Sequence, residues 1–370
     1  MDAADRISRP SGMGVLKSFL LLCFVVIVAS PAWAGLAEGI KAYNEGDYTT
    51  AFKEFKTVAE RGNSAAQYNL GVMYYDGQGV ERDYGAAAEW YRKAAEQGHV
   101  YAQFNLGVMY ERGQGIKRDH GEAVKWYRKA AEQGGADAQY NLGLMYDTGR
   151  GVGRDYSAVV KWYRKAAEQG DADAQYSLGL MYDSGQGVKR DYGAAVEWYR
   201  KAAEQGHAKA QSNLGLMYEK GRGVGRDYSA AVKWYRAAAK QGGARAQYNL
   251  GLMYDNGRGV GRDYGAAVKW YRAAAEQGLA DAQSNLGRMY EKGRAVGRDY
   301  SAAVKWYRKA AEQGFAIAQY NLGSMYYYGQ GVGKNKIRAY ELWSEAAKQD
   351  INEAQDNLDI LCKESPRACR

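Results

Sequence analysis

Proline is almost missing from this chain of 370 residues. It occurs at Pro10, Pro31 and Pro366 and nowhere else. Between the last two, no residue forces a kink or removes a backbone donor. Histidine is as scarce, with His99, His120 and His207 the whole complement. No Ser, Cys or Asp stands beside one of them at a spacing that suits nucleophilic catalysis, so no catalytic residue is assigned. Cysteine is limited to Cys23, Cys362 and Cys369. The two late thiols and three scattered imidazoles do not make a zinc ligand set, so no metal and no cofactor are expected. Long apolar runs are also absent. The one apolar stretch, from Phe19 to Ala29, is too short for an ordinary membrane span.

That stretch suits a signal peptide. Arg6, Arg9 and Lys17 precede it, and Pro31 and Ala32-Trp33-Ala34 follow. The expectation is a signal over residues 1–34, cleaved near Ala34, and a periplasmic or secreted product. The alternative is a protein anchored to the membrane by an uncleaved signal. In an oxidising compartment Cys362 and Cys369 read as a disulfide. The formal net charge is +9. Export argues against nucleic acid as the partner of so basic a chain. It leaves another protein or an anionic envelope polymer.

What the chain has in excess is repetition. Gln67, Gln103, Gln139, Gln175, Gln211, Gln247, Gln283 and Gln319 recur every 36 residues, and so do tryptophans from Trp90 to Trp306. A period of that length means stacked units, none of which can bury its apolar face alone. The repeats read as 63–98, 99–134, 135–170, 171–206, 207–242, 243–278, 279–314 and 315–350. Residues 35–62 read as an N-terminal capping hairpin, and 351–370 as a C-terminal capping helix and tail. In the last repeat, Trp343 implies one residue gained before it and one lost after it.

Each repeat reads as two antiparallel helices. In 171–206, Ala174, Leu178 and Met181 share one helical face. Gly185 ends the first helix in a left-handed conformation, and Val188 plugs the loop into the core. Asp191 caps the second helix. Glu122 is expected to complete a capping box with Asp119. The recurring Gly179 position implies close approach of the two helices. The fold class is therefore all-α, a superhelical α/α solenoid of antiparallel helix pairs.

These residues resemble the Sel1-like repeat family, a relative of the tetratricopeptide repeat. The resemblance rests on Ala174, Leu178, Gly179, Tyr182, Gly185, Gly187, Val188, Asp191, Ala195, Trp198, Tyr199, Ala202, Ala203 and Gly206, and it recurs in eight copies. The family usually has Pro after the loop Val, where this chain has Gly, Lys or Glu. The resemblance implies a scaffold or adaptor that binds other proteins. One cysteine-rich branch of the family is linked to β-lactams, and its repeat cysteines are missing here.

The glycine-rich loops do not bind nucleotides on this reading, because they follow helices and lack the phosphate-loop spacing. The Trp and Tyr columns read as core. By analogy with the tetratricopeptide groove, an extended partner segment would meet Tyr140, Asn141, Leu144 and Asp147; Tyr176, Leu180 and Asp183; Asn213; and Tyr248, Asn249, Leu252 and Asp255. The Asn column could grip a peptide backbone or bond between helices. Arg154, Arg190, Arg226, Arg262 and Arg298 are either solvated loop charges or a basic ladder for an anionic polymer.

Overall fold

The computed structural model describes residues 31–369. The segment read as a signal peptide lies outside the described residues up to position 30. Among the described residues there are nineteen α-helices, one short 3-10 turn at Pro366–Cys369, and no strand. None of these helices is long and apolar enough to cross a membrane. The chain divides into two compact units at Arg190 and Asp191.

The third repeat, in the first unit, shows why the sequence folds this way. Its leading helix is Ala136–Thr148 and its trailing helix is Tyr156–Glu168. The leading helix ends on Gly149, left-handed at φ 70°. An L side chain is strained in that conformation. The trailing helix starts at Asp155, whose carboxylate accepts from the backbone N–H of Ser157 and Ala158. In between, Val152 packs against the core. Asp191, Asp227, Asp263 and Asp299 repeat this cap on the trailing helices of other repeats, and Asp171 caps the leading helix Ala172–Ser184 in the same way.

The two helices of a repeat meet where the leading helix has no side chain. A Cβ on Gly143 would stand 2.6 Å from the Tyr163 ring, and one on Gly251 2.7 Å from the Tyr271 ring. The helix-interior glycine therefore makes room for a buried tyrosine. Leu142, Met145, Tyr163 and Ala166 lie in the resulting core.

Neighbouring repeats are tied by buried amides. Gln139 Nε2 donates to the Ala131 carbonyl of the preceding repeat at 3.0 Å. Its Oε1 accepts from Gln169 Nε2 at 2.8 Å. The same clamp recurs at Gln67, Gln103, Gln211, Gln247 and Gln283. A buried amide must be satisfied at both ends, which accounts for the strict glutamine column. A second tie runs from trailing-helix arginine to the next leading-helix tyrosine, as from Arg128 to the Tyr146 hydroxyl at 2.9 Å.

Two sequence expectations are corrected. No residue is gained or lost around Trp343. A Cβ on Gly323 would meet the Trp343 ring at 2.7 Å, so Trp343 takes the place that Tyr307 takes opposite Gly287. Leu342 fills the usual tryptophan position in the neighbouring core. The capping box at Glu122 does not form either. The Asp119 N–H is already bonded to the Tyr110 carbonyl at 2.9 Å. Glu122 pairs instead with Lys125 at 2.6 Å.

The tryptophan column is only partly core. Trp126 and Trp162 are buried, whereas Trp90 and Trp198 are half-buried. Their outer faces carry lysines, with Lys93 3.9 Å above Trp90 and Lys201 4.0 Å above Trp198. In the first unit, the helices Pro31–Glu45 and Tyr48–Glu60 close one end with Leu36, Phe55 and Val58 buried. In the second unit, the helix Asn352–Glu364 lays Leu358 and Leu361 against Trp343. Cys362 and Cys369 are joined at 2.04 Å, with Cα atoms 5.6 Å apart.

Candidate functional face of the leading helices

In the first unit four leading helices carry the same two residue types at the same turns. Tyr68, Phe104, Tyr140 and Tyr176 form one row, and Val72, Val108, Leu144 and Leu180 the next. All eight are half-buried. One side of the rings is packed on the trailing helices. Phe104 lies 5.8 Å from Tyr127, and Tyr140 lies 5.5 Å from Tyr163, centroid to centroid. Rings also meet along the row, where Tyr68 stacks on His99 at 4.6 Å and reaches Tyr101 at 6.1 Å. His99 accepts the Ala102 N–H through Nδ1. Burial holds its pKa below the usual value, so the neutral form that can accept is favoured.

The second unit has a broken version of this face. Leu216, Tyr248 and Leu252 keep the pattern, half-buried. Ser212, Ser284, Arg288 and Ser324 interrupt it. Charge replaces apolar contact there: Arg245 bonds Asp281 at 3.2 Å on the next leading helix.

The asparagines stand beside these rows at a constant register. The Asn141 amide tempers the rise in the Tyr127 pKa and the Asn249 amide that in Tyr235, each tyrosine lying in the preceding repeat. Asn285 donates to the Tyr248 hydroxyl at 3.5 Å. Asn213 is half-buried at the same register.

The acids below them are one layer deeper. Glu111 and Asp255 are buried. Tyr127 donates to Glu111 at 2.6 Å, Tyr235 to Glu219 at 2.8 Å, and Tyr307 to Glu291 at 2.7 Å. Asp255 accepts from Tyr271 at 3.1 Å and from Arg288 at 2.9 Å. Its carboxylate therefore faces internal partners. Asp147 and Asp183 are half-buried at the same register. The loop arginines Arg154, Arg190, Arg226, Arg262 and Arg298 are exposed and lie beyond the C-terminal ends of the leading helices. Arg190 donates to the Ser184 carbonyl there, at 3.3 Å.

The tyrosine–acid pairs were missed in the sequence. Their signal is the constant spacing of sixteen residues from acid to tyrosine; the acid gives way to Tyr75 opposite Tyr91 in the first repeat and to Tyr327 opposite Trp343 in the last. These pairs fix a pH response. Burial first, and the neighbouring carboxylate second, raise the pKa of Tyr127, Tyr235 and Tyr271. Burial raises Tyr68 to about 12. An unfolded tyrosine ionises near pH 10. Above that pH the unfolded chain releases protons that the folded chain keeps, so stability falls as pH rises. Alkaline titration should therefore show flat stability up to about pH 10 and cooperative loss above it. Tyrosine absorbance and helix signal should change together. Smooth tyrosine ionisation near pH 10 with intact helices would contradict the buried pairs.

No group of three or more His, Cys, Asp and Glu side chains among the described residues is placed to hold a metal. The arrangement offers contact surface: half-exposed aromatic and aliphatic rows, a polar amide border, and an acid layer that holds the rows in place.

Comparison with known proteins fits this. The Sel1 repeat pattern matches eight times, over 64–99, 100–135, 136–171, 172–207, 208–243, 244–279, 280–315 and 316–351. The crystal structure of c5321, a protective antigen of uropathogenic Escherichia coli with the same repeat fold, is similar at 42% identity and a TM-score of 0.80. It covers 85% of this chain and 68% of that one. A Sel1 repeat protein from Oxalobacter formigenes is similar at 40% identity and a TM-score of 0.58, over 65% of this chain and 96% of that one. HcpC of Helicobacter pylori, whose name gives it as a candidate beta-lactamase, is 46% identical over 44 residues. That match spans 12% of this chain and 15% of HcpC.

Proposed function

The chain belongs to the Sel1 repeat family, and from that premise we propose that it is a non-catalytic interaction scaffold. The leading-helix face receives an extended segment of another protein. The observation that carries this reading is the double row Tyr68, Phe104, Tyr140, Tyr176 and Val72, Val108, Leu144, Leu180. Its rings are packed on one side and its other side is part-exposed. A contiguous part-exposed apolar face rimmed by polar groups is what interaction surfaces present. Repetition spreads the binding energy over many weak contacts. The asparagine amides act mainly by holding the tyrosines, and the apolar rows supply the contact.

Export completes the proposal. The mature chain begins at Gly35 and works in the envelope or outside the cell, where the Cys362–Cys369 bond persists. N-terminal sequencing of the native protein tests this, and an intact start at Met1 contradicts it.

The chain supplies its own fold-compatible test substitutions. Ser284 and Arg288 already occupy the positions of Tyr140 and Leu144 one hundred and forty-four residues later. Tyr140→Ser with Leu144→Arg, repeated as Tyr176→Ser with Leu180→Arg, should keep the helix content. Partner affinity should fall about tenfold or more for each pair, the loss of at least ~1.4 kcal/mol expected when a packed aromatic anchor goes. Unchanged affinity in the quadruple variant would remove this face as the binding site.

A further inference from the structure

One loop column alternates between glutamine and arginine, and its consecutive arginines lie in the second unit. Gln78, Gln114 and Gln186 stand after the first loop glycine, as does Gln330 in the last repeat. Arg150 stands there in the third repeat, and three consecutive later repeats have Arg222, Arg258 and Arg294. Each guanidinium lies over a tyrosine of the preceding repeat: Arg222 over Tyr192 at 5.8 Å, Arg258 over Tyr228 at 5.8 Å, and Arg294 over Tyr264 at 5.2 Å. Four residues further on, the same loops carry Arg226, Arg262 and Arg298. All six arginines are exposed. The acids of these loops are occupied, since Asp227, Asp263 and Asp299 accept helix N–H groups at 2.9 Å from Ala230, Ala266 and Ala302.

The third loop adds a recess. Ala295 stands where Gly259 and the equivalent loop residues are glycine, at φ 56°. A Cβ on Gly259 would sit 2.2 Å from the Tyr228 carbonyl oxygen, so a loop bearing a side chain there must stand off. Beside Ala295 an open cavity of about 350 Å³ has Lys269, Arg272 and Glu276 on its wall.

We propose that this arginine-doubled edge, from Arg222 to Arg298, is a second binding site, for a linear phosphate-bearing polymer. It is separate from the leading-helix face. The chemistry favours phosphate. Arginine forks bind phosphate oxygens in pairs, and stacking on a tyrosine holds each fork in place before binding. Two guanidinium groups per loop match a group that offers oxygens to two forks, better than a lone carboxylate does. Repetition in three successive loops suits a polymer whose charges also repeat.

The test uses the mature chain and long-chain inorganic polyphosphate, with polyglutamate of matched charge as the comparison. Arg222→Gln, Arg258→Gln and Arg294→Gln together introduce only the residue that four other loops already carry. Polyphosphate should bind the wild type at physiological ionic strength and more tightly than polyglutamate. The triple variant should bind about tenfold more weakly, and its dependence of log affinity on log salt should be shallower by about 2 to 3. Removing the same charge at Lys125, Lys161 and Lys305, each to Gln, should leave affinity within about twofold. Three results overturn the proposal: no binding of polyphosphate by the wild type, tighter binding of polyglutamate, or equal losses in the loop and lysine variants. None of them bears on the leading-helix face, whose substitutions lie elsewhere.

Discussion

Tyr271→Ala is expected to destabilise the second unit by about 4–5 kcal/mol, far more than any surface change. The ring is fully buried opposite Gly251, among Ala267, Val268 and Ala274. Its removal leaves a cavity that two backbones bound on either side, so collapse can relieve little of it. Tyr271→Phe separates the hydroxyl from the ring. It keeps the packing and takes one donor from the buried Asp255, which retains Arg288. The cost should be about 1–2 kcal/mol. A stack of repeats need not unfold in one step, so hydrogen exchange is the better readout. In Tyr271→Ala, amides of Ala244–Asn256 and Tyr264–Glu276 should exchange about a thousandfold faster, at ~1.4 kcal/mol per factor of ten. Equal effects of Ala and Phe would mean that the ring contributes no packing.

Gly251→Val is the second large effect, and the first controls it. A Cβ at Gly251 would stand 2.7 Å from two Tyr271 ring atoms and 3.4 Å from the Ala267 carbonyl oxygen. Alanine would already clash, although it would gain ~1 kcal/mol of helix propensity over glycine. Valine adds two methyl groups against the same ring, for a loss of about 3 kcal/mol. The two substitutions are coupled through one contact. In the Gly251→Val background, Tyr271→Ala should cost at least ~1 kcal/mol less than it does alone, because the valine enters the space the ring vacates. Simple additivity of the two losses would show that Gly251 does not seat Tyr271.

These two residues also show what the sequence could reveal. The glycine column stood out because glycine inside a helix has a cost that recurrence must justify. Its need for close approach was legible, but its partner was not. The tyrosine sixteen residues after the acid lies on another helix, and helical periodicity carries no information between helices. Loop ends, aspartate caps and the left-handed glycines were readable because their chemistry is local. Trp343 was misread for the opposite reason. A tryptophan was aligned with tryptophans by type, yet shape at Gly323 placed it in the tyrosine position. On the candidate face, Tyr140, Leu144, Tyr176 and Leu180 were named by analogy with a groove, and their part-exposed rows underlie the proposed binding face. The engaged state of Asp255 and of the Asn285 amide was not legible, because each depends on a hydroxyl from a different helix.

The proposal that the leading-helix face receives another protein has a direct test in site-specific photo-crosslinking within the intact cell. A photoreactive residue is placed at Tyr140 or Tyr176 on that face, or at Lys125 or Lys161 on the exposed side of the trailing helices. The account predicts a discrete crosslinked protein band from the two leading-helix positions. It predicts none from the lysine positions, and loss of the band when Leu144→Arg and Leu180→Arg are added. Crosslinks confined to the lysine positions would contradict it.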